Sequence, residues 1–442
     1  MSSKLINFEV QPGGVLQGSL RVPGDKSISH RSVMLGSLAE GVTEVDGLLE
    51  GDDVLATIGA FRAMGVQMQG PDNGRLVIHG VGMHGLKAPT AALDMGNSGT
   101  AMRLMSGVLA GQNFDSELIG DVSLSKRPMA RVTEPLALMG ARIVTNEGGR
   151  PPLRIHGGSK LKGIRYQLPM ASAQVKSCLL LAGMYAEGET SVTEPAPTRD
   201  HTERMLNGFG YPVKTTGSSM SLQAGGSLRG CKIDVPADIS SATFFLVGAA
   251  MTPGSDLLLQ HVGINPTRIG VLNILKLMGA DLELRNERTV GGEPVADIRV
   301  RGGRLTGITV PEDQVPLAID EFPMLFVAAA CARGETRITG ADELRVKECD
   351  RIAVMVEGLK VLGVDVEELV DGAVIRGGEI HGGEVHSHDD HRIAMAFSMA
   401  ALHADSPIII HDCANVATSF PTYAELAREA GLQILVREAT AG

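Results

Sequence analysis

At 442 residues, with 43% hydrophobic and 21% charged side chains, the chain is too apolar for disorder and longer than one core usually supports, so two or more domains are expected. A net charge of −11 argues against nucleic acid or an anionic membrane as a partner, so any anion site has to be local. Five cysteines (Cys178, Cys231, Cys331, Cys349, Cys413) without a CxxC pair, no basic-then-apolar leader and no apolar run of membrane-span length predict a reduced, cytoplasmic protein.

The first informative stretch is Pro23-Gly24-Asp25-Lys26-Ser27-Ile28-Ser29-His30-Arg31-Ser32. After the Pro-Gly turn, Asp25 or Ser27 can cap a helix that continues through the apolar run Val33 to Ala39. A helix start draws anions through its dipole and unpaired N–H groups, and Lys26, Ser27 and Arg31 sharpen that preference toward a phosphate or carboxylate. The Walker spacing GxxxxGK[ST] is absent, and taken alone the stretch reads equally well as a solvated, charged helix start.

A helix closed by an apolar residue and Gly, then a strand, recurs at Met64-Gly65-Val66, Met139-Gly140-Ala141, Phe209-Gly210-Tyr211, Met278-Gly279-Ala280, Leu362-Gly363-Val364 and Ala430-Gly431-Leu432. The spacing describes six repeats of roughly 70 residues. Each reads as a β-α-β-α-β-β unit: a first helix, a short strand (as at 44–48, 191–194, 256–261, 336–339 and 408–411), an amphipathic second helix, and two further strands such as 66–69 and 75–79. The first helices, over 33–39, 102–110, 178–186, 242–251, 324–332 and 393–402, carry almost no charge on any side. A helix apolar all round is buried, which predicts an inside-out α/β architecture with helices interior and sheets outside.

Each buried helix also opens on polar residues: Lys26, Ser27, Arg31; Asn97, Ser98, Thr100, Arg103; Ser172, Gln174, Lys176; Asp238, Ser240, Ser241; Asp320, Glu321; and Asp389, Asp390, His391, Arg392. If helices within a domain run parallel, these starts converge, and two such ends facing across a cleft would attract anions strongly. Asp238-Ser240-Ser241 reads more simply as an ordinary cap, as does Asp320-Glu321, and Glu348 with Arg351 has the spacing of a common surface pair.

Gly24-Asp25-Lys26-Ser27, Gly96-Asn97-Ser98-Gly99-Thr100-Ala101-Met102-Arg103, Lys126-Arg127-Pro128-Met129, Ser172-Ala173-Gln174-Val175-Lys176, Arg345-Val346-Lys347-Glu348-Cys349-Asp350-Arg351 and Asp390-His391-Arg392 together resemble the 5-enolpyruvylshikimate-3-phosphate synthases, in order and over the whole chain. Arg199-Asp200-His201-Thr202-Glu203, Asn265-Pro266-Thr267-Arg268 and the Ser-Ala-Gln-x-Lys form resemble the class II branch. The resemblance implies two domains of three repeats each: residues 1–23 with 241–442, and 24–240, with the active site in the cleft between them. It implies transfer of the enolpyruvyl group of phosphoenolpyruvate to the 5-hydroxyl of shikimate 3-phosphate, with release of phosphate, through addition and then elimination, by a cytoplasmic monomer that needs no cofactor or metal.

By the same resemblance, Lys26, Ser27, Arg31, Ser172, Ala173, Gln174, Arg199, Asp320 and Lys347 hold shikimate 3-phosphate, and Lys26, Gly99, Arg127, Gln174, Arg351 and Arg392 hold phosphoenolpyruvate. Asp320 corresponds to the carboxylate on the 5-hydroxyl, Glu348 to the proton donor and acceptor at the methylene carbon, and Lys26 reaches the transferred group. Thr418 stands where class I enzymes carry a Lys, Glu343 where they carry an Asn, Ala173 where they carry a second Ser, and Gly99 is the small residue of glyphosate-sensitive members. His381, His386, His388, Asp389, Asp390 and His391 match no standard metal-ligand spacing. The competing readings are the sister transferase acting on UDP-N-acetylglucosamine, disfavoured by Lys26-Ser27 and the Cys-free segment 120–131, and a non-catalytic binder of phosphorylated metabolites, for which Asp320 and Glu348 would be surplus. An RNA-end-processing enzyme on similar repeats fits poorly with the acidic charge and 3% aromatics.

Overall fold

The computed structural model describes residues 5–439. The chain divides into two compact units. The C-half unit takes the chain up to Pro23, Pro236–Thr289 and everything from Pro294 on; the N-half unit takes Gly24–Val235 and the hairpin tip Val290–Glu293. The boundary expected at 240/241 therefore lies at 235/236. The reason is local: Asp238 caps the helix that follows, and its N–H donates to the Pro23 carbonyl, so the cap belongs with the C-half unit.

In the N-half unit the helices are α1 (Lys26–Leu38), α2 (Asp52–Ala63), α3 (Gly99–Ala110), α4 (Ala130–Leu138), α5 (Ala173–Gly183) and α6 (His201–Gly208). The C-half unit holds α7 (Ile239–Met251), α8 (Gly270–Leu277), α9 (Phe322–Cys331), α10 (Arg351–Val361), α11 (His391–Ala400) and α12 (Tyr423–Ala430). The odd-numbered helices are the apolar ones. Every residue of α7 is buried, as is α9 from Phe322 to Ala330, because neither carries a charged side chain and their few hydroxyls are satisfied internally or lie at the helix start. The even-numbered helices end at the repeated glycines. Gly65, Gly140, Gly210, Gly279, Gly363 and Gly431 all have left-handed φ, from +82° to +117°, a conformation that lets the chain leave the helix and turn into a strand. The apolar residue before each glycine is buried.

Each repeat contributes to one sheet, six in all among the described residues, and each unit has its own hydrophobic core. In five of the six an edge strand runs parallel to its neighbour, which pairs antiparallel with the next of two further strands; the sixth has three strands, Glu335–Ile338, Gly372–Arg376 and Asp365–Leu369, all antiparallel. In one sheet Leu93–Asp94 lies parallel to Ser116–Ile119, which pairs antiparallel with Arg150–His156 and then Arg142–Asn146. Three sheets are completed by distant chain. Lys232–Asp234 lies parallel to Glu40–Asp46, with Ile233 opposite Val45. Gln17–Leu20 lies parallel to Asp256–Gly263, and Leu5–Val10 inserts antiparallel between Ile408–His411 and Ile434–Ala439, with Phe8 opposite Ile410 and Val436.

Candidate active site

In the N-half unit, three helix starts are tied together by polar side chains. Asp25 caps α1, accepting from the Ile28 N–H at 2.8 Å; Ser98 caps α3, accepting from Ala101 N–H at 3.1 Å; Ser172 caps α5, accepting from Val175 N–H at 3.4 Å. Buried His30 bridges α1 to its neighbours, with Nδ1 2.8 Å from Thr57 Oγ1 and Nε2 3.4 Å from Ser98 Oγ. Burial, with Lys26 and Arg31 adding to it, pushes this imidazole down to about 3, so it stays neutral at physiological pH. Between α3 and α5, Gln174 accepts from Arg103 Nη1 at 2.7 Å and donates to Thr100 Oγ1 at 2.9 Å.

The cations of this unit sit on that frame. Lys26 Nζ is 2.9 Å from Asp53 Oδ2. Arg31 is buried and donates through Nε to Thr202 Oγ1 (2.6 Å), through Nη1 to the Ser27 carbonyl (2.9 Å) and through Nη2 to Ser177 Oγ (2.8 Å). Burial lowers its pKa to about 10, with Glu203 and Asp25 working the other way, which leaves it charged at neutral pH. Arg127 donates to Asn97 Oδ1 at 2.8 Å. Gly99 lies where two guanidinium groups crowd: a methyl built there would sit 2.8 Å from Arg103 Nη1 and 3.4 Å from Arg127 Nη1.

The C-half unit repeats the arrangement with acidic partners. Arg351, the first residue of α10, is buried, and its guanidinium meets three carboxylates: Asp390 Oδ2 at 2.7 Å, Glu348 Oε2 at 2.6 Å and Asp320 Oδ1 at 3.2 Å. Burial opposes the charge, but Asp390, Glu348 and Asp320 outweigh it and hold Arg351 above its ordinary value. Asp390 is fully buried, whereas the Asp320 and Glu348 side chains keep 14% and 25% exposure, so the latter two are the carboxylates a ligand can reach. Lys347 Nζ lies 2.6 Å from Glu343 Oε1 and 3.6 Å from Asp320 Oδ1. Arg392 Nη1 donates to the Asp320 carbonyl at 3.1 Å, and its backbone N–H is capped by Asp390. Buried Glu321 accepts from Ser240 Oγ, which also takes Arg268 Nη2 at 2.6 Å.

A family pattern described as EPSP synthase (3-phosphoshikimate 1-carboxyvinyltransferase) matches residues 10–426. The chain belongs to the EPSP synthase family. It is 67% identical over 436 residues to the 3-phosphoshikimate 1-carboxyvinyltransferase of Methylococcus capsulatus, covering 99% of this chain and 100% of that protein. Identity to the protein of the same name from Hydrogenovibrio crunogenus is 64% over 443 residues, covering 99% and 100%. The solved EPSP synthase of Acinetobacter baumannii superposes with a TM-score of 0.89 at 62% identity, covering 98% of this chain and 100% of that one.

With the EPSP synthase fold in place, the predicted site residues divide by unit. Lys26, Ser27, Arg31, Gly99, Arg127, Ser172, Ala173, Gln174 and Arg199 belong to the N-half unit; Asp320, Lys347, Glu348, Arg351 and Arg392 belong to the C-half unit. Within the C-half group, Asp320, Lys347, Glu348, Arg351 and Arg392 are mutually connected through the contacts above. Two simpler readings need correction, and a third holds. Glu321 starts α9 without a side-chain cap and Asp320 pairs with Arg351, so neither is an ordinary cap. Glu348–Arg351 is not a surface pair, because the arginine is buried. Asp238 does cap α7, yet it also receives Arg268 Nη2 at 3.2 Å.

Asp390 as counter-ion of Arg351, and Arg103 as partner of Gln174, escaped the sequence reading; the pairs are 39 and 71 residues apart, and no local spacing announces them. The Thr418 hydroxyl donates to the Asn415 carbonyl at 2.7 Å, so that position supplies no cation. Burial, with Asp390 adding to it, pushes the Cys349 thiol up, away from thiolate chemistry. As for metal-binding groups, only Asp200, His201 and Glu293 among the described residues bring three ligand atoms within 4.8 Å of one another; His201 Nδ1 and Glu293 Oε1 are already hydrogen-bonded at 2.8 Å.

Proposed function

We infer that this protein transfers the enolpyruvyl group of phosphoenolpyruvate to the 5-hydroxyl of shikimate 3-phosphate and releases phosphate, a step of aromatic amino acid biosynthesis. Family membership over residues 10–426, with 67% identity across 99% of the chain to a 3-phosphoshikimate 1-carboxyvinyltransferase, carries the assignment. The finer reading concerns which side chains do what. Lys26, Ser27, Arg31, Ser172, Ala173, Gln174, Arg199, Asp320 and Lys347 take shikimate 3-phosphate. Phosphoenolpyruvate is held by Lys26, Gly99, Arg127, Gln174, Arg351 and Arg392, whose guanidinium forks suit its carboxylate and phosphate.

In the addition, Asp320 accepts the proton of the 5-hydroxyl as its oxygen bonds to C2 of phosphoenolpyruvate, and Glu348 delivers a proton to C3. The product is a tetrahedral ketal phosphate. In the elimination, Glu348 takes a proton back from C3, the C2–C3 double bond reforms and the C2–O bond to phosphate breaks. Lys26, Arg127, Arg351 and Arg392 offset the charge of the departing group. The carrying observation for the proton roles is that two partly exposed carboxylates, Asp320 and Glu348, are oriented by one buried guanidinium at 3.2 and 2.6 Å.

The test is a phosphate-release assay with both substrates, each alone, and phosphoenolpyruvate with UDP-N-acetylglucosamine. Release requiring both phosphoenolpyruvate and shikimate 3-phosphate is expected. Release with the sugar nucleotide instead would reassign the chain to the sister transferase, and no release with either would leave a binding protein.

A further inference from the structure

Arg199 lies in the irregular connection between the strand Glu189–Thr193 and α6, whose ends are tied by backbone bonds from Glu194 N–H to the Ser218 carbonyl (3.0 Å) and from Arg204 N–H to the Asp200 carbonyl (3.1 Å). Between those ends, buried charge adds to the hold. Glu194, at the start of the connection, accepts from the Thr198 N–H at 3.3 Å and the Thr198 hydroxyl at 2.6 Å, closing the loop on itself one residue before Arg199. The Glu194 carboxylate is anchored in turn by Lys176, whose Nζ lies 3.0 Å from Glu194 Oε2 and 2.7 Å from Glu203 Oε1. All three side chains are nine-tenths buried or more.

The placement of this triad is selective. Lys176 is two residues beyond Gln174 on α5, and Glu203 follows Thr202 on α6, the residue whose hydroxyl receives Arg31 Nε and donates to Ser177 Oγ at 2.7 Å. Arg31 feels both the attraction of Glu203 and the repulsion of Arg199, so the two guanidinium groups share one neighbourhood. One buried ammonium thus joins the loop carrying Arg199, the helix carrying Gln174 and the helix whose first turn braces Arg31. Burying an ammonium between two carboxylates costs desolvation that a packed apolar residue would avoid, so its part here is sought in geometry rather than in stability. Two cations that repel each other need a rigid mount if both are to meet one anion, and a loop held in its bound form loses less entropy on binding.

We propose that the Lys176–Glu194 pair is a positioning device for shikimate 3-phosphate, fixing the loop that presents Arg199 beside Arg31. The inference rests on the reading of Arg199 as a shikimate 3-phosphate contact, so its test has an arm for each. Glu194→Gln keeps the side-chain shape and spares the fold the unpaired charges that a Lys176 substitution would leave; Thr198→Val opens the same loop from a partly exposed residue. Calorimetric titration with shikimate 3-phosphate and steady-state kinetics are measured for both, for Arg199→Gln, and for Glu194→Gln combined with Arg199→Gln. The expected result is an affinity for shikimate 3-phosphate weaker by about tenfold in Glu194→Gln and somewhat less in Thr198→Val, KM for phosphoenolpyruvate within about twofold, and little further loss when Glu194→Gln is added to Arg199→Gln. If Arg199→Gln binds the substrate as tightly as the parent protein, the reading of Arg199 falls and the inference with it. If Arg199→Gln weakens binding but Glu194→Gln and Thr198→Val do not, or if the two effects add in full, or if both KM values rise together, only the positioning role is overturned.

Discussion

Gly107 on α3 offers a direct test of the buried-helix packing and of its link to the site. A Cβ built at this residue would lie 2.2 Å from the Cys178 carbonyl oxygen, 3.0 Å from its carbonyl carbon and 3.2 Å from its Cα. All three are backbone atoms of α5, so no rotamer change relieves the contact. Relief requires α3 and α5 to separate by about 1 Å in a close-packed interior. Overpacking of this kind costs about 1–3 kcal/mol, and a backbone clash belongs at the upper end; the helix-propensity gain of Ala over Gly returns about 1 kcal/mol. Gly107→Ala should therefore lose about 2 kcal/mol net, a Tm lower by roughly 4–8 °C for a unit of this size. Gly59, exposed on α2 with nothing within 4 Å of a built Cβ, is the control. Gly59→Ala should gain up to about 1 kcal/mol and raise Tm by roughly 2–4 °C. Because Arg103 on α3 and Gln174 on α5 are joined at 2.7 Å, the Gly107→Ala separation should also break that bond and lower kcat/KM. Thermal unfolding followed by circular dichroism, with the phosphate-release assay alongside, reads both. A Gly107→Ala protein as stable and as active as the parent would refute the proposed contact between these helices.

Replacing Glu348 by Gln keeps the side-chain shape beside Arg351 and removes the proton; turnover should fall by about 10²–10⁴-fold while ligand dissociation constants stay near the parent values, and unchanged turnover in rapid-quench measurements would remove the proton-transfer role. His30 predicts a pH effect on stability. Burial, reinforced by Lys26 and Arg31, holds its folded pKa at about 3 against an ordinary 6.5, so the unfolded chain accepts a proton that the folded one refuses. The stabilising contribution is intact above about pH 6.5 and is lost as pH falls from there toward about 3, by up to about 1.4 kcal/mol per pH unit. Denaturant titrations at pH 7 and pH 5 should show a smaller difference in His30→Asn than in the parent protein, by about 2 kcal/mol. Equal differences in the two proteins would mean that His30 is not the group responsible.

Much of the architecture is written in local pattern. The six glycines at 65, 140, 210, 279, 363 and 431 all take left-handed φ because a helix that must turn into a strand needs a residue without a Cβ clash at its exit. The charge-free helices are buried because no side of them can face water, and Asp25, Ser98, Ser172, Asp238, Asp350 and Asp390 each cap a helix with a side chain, as short polar residues before an apolar run do. The partnerships around Arg351 were not legible. Asp390 lies 39 residues along the chain, and what joins the two is the packing of α10 and α11 starts. Asp320-Glu321 has the look of a cap in one dimension and is a counter-ion pair in three.

By itself, then, the amino-acid order determined the number of repeats, the exits of the helices and which faces are buried, since these follow from side-chain periodicity and from the φ that each residue type tolerates. Only the tertiary structure decided that Lys232–Asp234 completes the sheet begun at Glu40, and that Leu5–Val10 enters the sheet of the last repeat. It alone decided, too, that Lys176 meets Glu194 and Glu203. The physical reason is that backbone N–H and C=O groups are alike in every strand, and a buried charge accepts any opposite charge brought near. Which partner is chosen depends on where the packed helices leave the chain, and that is settled by the whole core at once.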